Sequence, residues 1–79
     1  MRESMGKSTN METIQIRLNG KDRAVAPGLT VSELVRSLEL NPALVVVELN
    51  REILSRSRYT EVPVNEGDTV ELVHFVAGG

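Results

Sequence analysis

The chain contains no cysteine and no tryptophan, and its 79 residues include one tyrosine, one phenylalanine and one histidine. Without thiols there is no disulfide framework, no thiolate metal centre and no cysteine nucleophile. A single histidine, His74, gives no basis for a histidine-built metal cluster, and a surface position is expected for it rather than a catalytic one. No apolar run approaches the length of a membrane span, and Met1 to Asn10 lacks the apolar segment of a signal-peptide core. A soluble protein of the cytoplasm, without a membrane partner, is therefore expected. Charge is also scarce in one sense: nine Lys and Arg against eleven Asp and Glu leave a net charge of -2 and no positive field for nucleic acid.

What remains is ordinary globular composition, 41% hydrophobic and 25% charged. A chain of this length holds one small domain, and a domain near this size buries only about 60% of its unfolded surface. A deep catalytic cleft would compete with the core for residues, which favours a binding or carrier module over an enzyme. The carboxylates Glu33, Glu48, Glu52 and Asp68 are scattered over cap, strand and turn positions, and none pairs with another in a way that suggests acid-base catalysis. Gly6-Lys7-Ser8 lacks the earlier glycine and preceding strand of a phosphate-binding loop. No catalytic residue and no metal ligand is assigned.

Residues 1–12 are polar and without periodicity, and read as a flexible tail or as an upstream start before Met11. From Thr13 the pattern alternates, with Ile14, Ile16 and Leu18 on one face and Gln15 and Arg17 on the other, as in a half-buried strand. Asn19-Gly20 suits a tight hairpin, with Arg23 to Ala26 returning as a second strand. After Pro27-Gly28 comes a helix start: Thr30 as N-cap, Glu33 three residues on, and Leu29 placed to staple against Leu34. Val31, Leu34, Val35 and Leu38 form an apolar stripe that ends near Leu40, Asn41 and Pro42.

The β-branched run Val45-Val46-Val47 marks a strand within Ala43 to Leu49, and Asn50-Arg51 turns the chain towards Ile53 and Leu54. Ser55 to Pro63 reads as loop with a short strand, anchored to the core by Tyr59 and Val62. Arg51, Arg56 and Arg58 read as a solvated loop. Asn65-Glu66-Gly67-Asp68 is a turn before a last strand, Thr69 to Phe75, with Val70 and Leu72 on one face and Val73 and Phe75 on the other. The expected fold is α+β, a mixed sheet of four to five strands packed on one helix. The domain spans 13–76, and residues 77–79 form a C-terminal tail.

That tail ends in Gly78-Gly79. Without side chains, two glycines can enter a channel too narrow for other residues and present a terminal carboxylate to another protein's active site. At an average glycine usage of about 7%, a terminal pair arises by chance in roughly 0.5% of chains. A carboxylate is a poor electrophile until activated, for example as an acyl-adenylate, from which a sulfur nucleophile can displace AMP.

The segments Leu29-Thr30-Val31-Ser32-Glu33-Leu34, Asn65-Glu66-Gly67-Asp68-Thr69-Val70 and Phe75-Val76-Ala77-Gly78-Gly79 together resemble the sulfur carriers of thiamine biosynthesis, a ubiquitin-like (β-grasp) family, over residues 13 to 79. The resemblance implies that Gly79 is adenylated by a ubiquitin-activating-like partner using ATP and Mg, then converted to a thiocarboxylate with sulfur from a donor such as a cysteine desulfurase. Thiazole synthase would receive the sulfur, with Ala77 and Gly78 as the segment entering partner active sites. No cofactor would be bound by the carrier itself. Val73, Phe75 and Val76 are candidates for docking these partners, with local packing as the alternative for Phe75. The small subunit of molybdopterin synthase shares the fold and an Ala-Gly-Gly ending, but usually carries prolines where His74-Phe75-Val76 stands here. A noncovalent ubiquitin-like module with an inert terminus, or a protein modifier joined to lysines, are further readings.

Overall fold

The alternation from Ile14 onward becomes strand β1 (Ile14–Leu18), and it does so in the computed structural model, which describes residues 12–75, with Ile16 buried and Gln15 and Arg17 exposed. Asn19 (φ 50°) and Gly20 (φ 82°) both take positive φ, as a two-residue type I′ hairpin loop requires. Strand β2 (Lys21–Val25) therefore pairs from its first residue, Leu18 opposite Lys21 and Ile14 opposite Val25. This is earlier than the Arg23 to Ala26 expected, because only Val25 of β2 is buried and the strand has no alternation to mark its start.

Helix α1 (Val31–Ser37) has only seven residues, too few to be stable in isolation, so caps and packing must hold it. The N-terminal capping box is complete: the Glu33 N–H donates to Thr30 Oγ1 at 3.2 Å, and the Thr30 N–H donates to Glu33 Oε1 at 2.9 Å. The helix stops at Ser37, three residues short of the expected end, in a Schellman motif. Glu39 turns left-handed (φ 63°), its N–H donates to Arg36 O, and the Leu40 N–H reaches back to Val35 O. Asn41 then caps a 3-10 turn, Pro42–Leu44, so strand β3 (Val45–Leu49) begins two residues after the expected Ala43.

Asn50 and Arg51 (φ 51° and 72°) make a second two-residue hairpin to the short strand β4 (Glu52–Ile53). The segment that follows contains a 3-10 turn, Arg56–Arg58, and an isolated bridge between Thr30 and Pro63. Strand β5 (Thr69–His74) closes the fold, and Phe75 still donates its N–H to Leu44 O at 2.8 Å. The sheet has five strands in the order β2-β1-β5-β3-β4, with β1 and β5 parallel and all other pairs antiparallel.

One face of this sheet packs on α1. Ile16, Val25, Val45, Val47 and Val70 from the strands meet Val31, Leu34 and Val35 of the helix, with Tyr59 and Val64 from the connecting loop. Each fully buried Val or Leu contributes about 1.5–3 kcal/mol, and seven side chains here are essentially inaccessible. Tyr59 does more than fill space. β4 covers only the end of β3, and the Tyr59 hydroxyl takes the place of a missing strand, donating to Val45 O at 2.8 Å and accepting from the Val47 N–H at 3.1 Å.

Candidate functional site

Val76, at the end of the expected domain, and the expected tail residues Ala77, Gly78 and Gly79 lie outside the described residues, as do Met1 to Met11. The candidate site is strand β5 and the surface around its end. β5 is held between β1 and β3, and two asparagines extend that grip beyond the regular ladders. Asn19 donates its N–H to Val70 O at 2.9 Å, and its Oδ1 accepts from the Leu72 N–H at 2.8 Å, replacing the rung that β1 is too short to supply. Asn50 holds the start of β5: its N–H donates to Thr69 O at 2.7 Å, its Oδ1 accepts from the Thr69 N–H, and its Nδ2 donates to Asp68 Oδ1.

The turn before β5 is fastened as well. Gly67 takes φ 85° at the third position of Asn65–Asp68, a conformation that favours glycine, and its N–H donates to Gln15 O at 2.8 Å. The Asn65 N–H donates to Asp68 Oδ2, and the Gln15 N–H donates to Glu66 Oε1. From 65 to 75 the backbone is thus held by hydrogen bonds, and β5 (Thr69–His74) runs from this fastened turn to Phe75. Phe75, the last described residue, is held in place at the end of β5.

The surface beside that point is apolar. Val73 and Phe75 are 55% and 53% exposed, on the face of β5 turned away from α1, as alternation from buried Val70 requires. Phe75 is therefore not a core residue. Register brings in two residues that the sequence reading did not assign to this surface. Val46 of β3 stands directly opposite Val73, and Ile53 of β4, 74% exposed, stands opposite Glu48 on the same outer face. Alternation of Val46 against buried Val45 and Val47 was the available signal. Ile53 had none, because its exposure depends on β4 being the sheet edge.

His74 is exposed and lies opposite Val45. Arg51, Arg56 and Arg58 are all exposed, with Arg58 4.0 Å from Glu61. A groove of about 320 Å³ runs beside β4, lined by Leu49, Ile53, Leu54, Arg58 and Val62 among others. Among the described residues no group of three or more His, Cys, Asp or Glu is placed to hold a metal ion, and no helix is long and apolar enough to cross a membrane.

The described residues thus form a five-stranded mixed sheet over one α-helix, with the last strand between two others, and the sequence carries Gly78-Gly79 after it. The model of the ThiS family matches residues 16–79. The chain belongs to the ThiS family. The sulfur carrier protein ThiS of Bacillus subtilis (strain 168) is 42% identical over 65 residues, covering 81% of this chain and 98% of that protein. The crystal structure of the ThiS of Geobacter metallireducens has a TM-score of 0.72 at 38% identity, covering 84% of this chain and all of that one. The β-grasp fold that the resemblance implied is therefore the fold of this ThiS-family chain. The thiazole synthase of Paramagnetospirillum magneticum (strain ATCC 700264 / AMB-1) is 38% identical over 66 residues, covering 84% of this chain but 20% of that enzyme. That enzyme thus contains a segment resembling a ThiS-family carrier within a much longer chain.

Proposed function

We propose that this protein is a sulfur carrier for thiazole formation in thiamine biosynthesis, a cosubstrate whose terminal carboxylate is chemically altered while its body serves for recognition. The observation that carries this reading is the family match, which spans residues 16–79 and so includes Gly78-Gly79. The same match favours the thiamine branch over the molybdopterin branch.

Gly79 is the residue altered. Its carboxylate oxygen attacks the α-phosphorus of ATP in an adenylating partner, pyrophosphate leaves, and the acyl-adenylate forms. ATP and magnesium are used by that partner. A sulfur nucleophile then attacks the carbonyl carbon and AMP departs. Where the donor is a persulfide, as from a cysteine desulfurase, a thiol must afterwards cleave the S–S bond to release the thiocarboxylate. Thiazole synthase then takes the sulfur; the carrier-like segment within the Paramagnetospirillum enzyme supports that pairing.

What this chain contributes is position. Ala77 and Gly78 form the narrow lead-in, and β5, fixed by Asn19 and Asn50, sets where it begins. Val73, Phe75 and Val76 provide docking contacts, and the exposure of the first two supports that role. No side chain of the carrier takes part in bond making, so turnover belongs to its partners in the cytoplasm.

The test is to incubate the full chain with ATP, magnesium, the adenylating enzyme from the same genome and a sulfur donor, and to measure intact mass. Exchange of one oxygen for sulfur, confined to Gly79 by fragmentation, is the expected result. An unchanged mass with an enzyme that adenylates another family member would overturn the proposal. So would full function after deletion of Gly78 and Gly79, the result expected of a noncovalent module.

A further inference from the structure

On the sheet face turned away from α1, Glu48 of β3 stands directly opposite Glu71 of β5. Residues opposite one another on paired strands project from the same face with their Cβ atoms about 4.5–5.5 Å apart, and like charges so placed destabilise the pair. Glu71 is exposed and Glu48 half-buried. Among the described residues neither carboxylate belongs to an ion pair. Arg17, on the same face, is 3.7 Å from Asp22, and Arg58 lies by Glu61.

The pair also borders the apolar surface. Val46 and Val73 face each other two residues along the same strands, Phe75 lies beyond Val73, and Ile53 flanks Glu48 from β4. An exposed apolar patch next to the start of the tail is thus edged by two facing carboxylates that folding alone does not favour.

We propose that Glu48 and Glu71 are the anionic half of the docking surface, and that its occupant is the adenylating partner, which places a lysine or arginine side chain between them while apolar partner groups cover Val46, Val73 and Phe75. The proposal rests on the carrier reading, because an enzyme that acts on the tail must approach the end of β5. A cation between two carboxylates relieves their mutual repulsion only in the complex. An apolar or acidic surface seated there strips water from both carboxylates and supplies nothing in return, so such partners are rejected. Complementary charge of this kind raises the association rate and fixes orientation more than it deepens final affinity.

The experiment uses the full chain and the purified adenylating enzyme, with association and dissociation rates measured by surface plasmon resonance at low and high salt. The proteins compared are the wild type, the single variant Glu71→Gln and the double variant Glu48→Gln/Glu71→Gln, each with a thermal melt. The double variant is expected to associate about tenfold more slowly at low salt, with the difference shrinking at high salt as screening removes it. Its melting temperature should equal or exceed that of the wild type. Unchanged association rates would overturn the proposal, as would a lowered melting temperature in the exposed single variant, which would make the pair structural. Conversion of the wild type to the thiocarboxylate in the same preparation separates the two readings: conversion with unchanged variant rates removes only the role of the carboxylates, whereas no conversion removes the carrier reading itself.

Discussion

At Asn50 one side chain and its own backbone make three hydrogen bonds to Asp68 and Thr69 while φ is held at 51°. Asparagine tolerates this conformation well, but its neighbour Arg51 (φ 72°) and the helix C′ residue Glu39 (φ 63°) do not have that advantage. A left-handed conformation costs an ordinary residue about 1–2 kcal/mol, whereas the added chain entropy of glycine costs about 0.5–1 kcal/mol. Glu39→Gly and Arg51→Gly should therefore each stabilise the domain by about 0.5–1 kcal/mol, read as a raised urea midpoint with unchanged slope. Tyr59 presents the opposite case. Tyr59→Phe keeps the ring but leaves the Val47 N–H and Val45 carbonyl without their partner, both on buried residues, and should cost about 1–3 kcal/mol in the same measurement.

At the scale of elements, α1 shows how a helix of seven residues is kept. Each of its first N–H groups has an acceptor: Val31 donates to Val62 O, Ser32 to Tyr59 O and Glu33 to the Thr30 hydroxyl. The groups that a helix start ordinarily leaves open are used to fasten the loop between β4 and β5. Thr30→Ala removes one cap bond and should lower stability by about 1 kcal/mol. Hydrogen exchange at Val31 and Ser32 should rise with it, because the loop loses its register against the helix. Leu34→Ala, which empties a fully buried position under the sheet, should cost about 2–5 kcal/mol and approach the limit for so small a domain.

For the whole molecule the consequence is a division between a packed core and an exposed apolar surface. The core lies between α1 and one sheet face, whereas Val73 and Phe75 lie on the other. Phe75→Ala should therefore leave the melting temperature nearly unchanged while weakening binding to the adenylating partner at least tenfold, measured by calorimetry. A comparable loss of stability would instead place Phe75 in the folding core. Deletion of Gly78 and Gly79 should likewise leave urea unfolding unaltered and abolish thiocarboxylate formation, which mass spectrometry reports directly.

The elements legible from sequence were those whose determinants are local. The β1 alternation, Asn19-Gly20, the Thr30 and Glu33 capping box, the Asn65 to Asp68 turn and the diglycine ending all act over a few residues, and the family resemblance is carried by the same segments. Boundaries without a residue-level marker were misplaced: the start of β2 follows from pairing rather than burial, and α1 ends early because Glu39 accepts a left-handed turn without being glycine. The apolar face of β5 was visible in the alternation of Val70 to Phe75, but its partners Val46 and Ile53, the opposition of Glu48 to Glu71, and the Tyr59 hydroxyl standing in for a strand were not. Those features arise from strand register and from the end of β4 at Ile53, which bring residues many positions apart onto one surface. Local chemistry determined which elements form; only pairing across the sheet decided which side chains share a face.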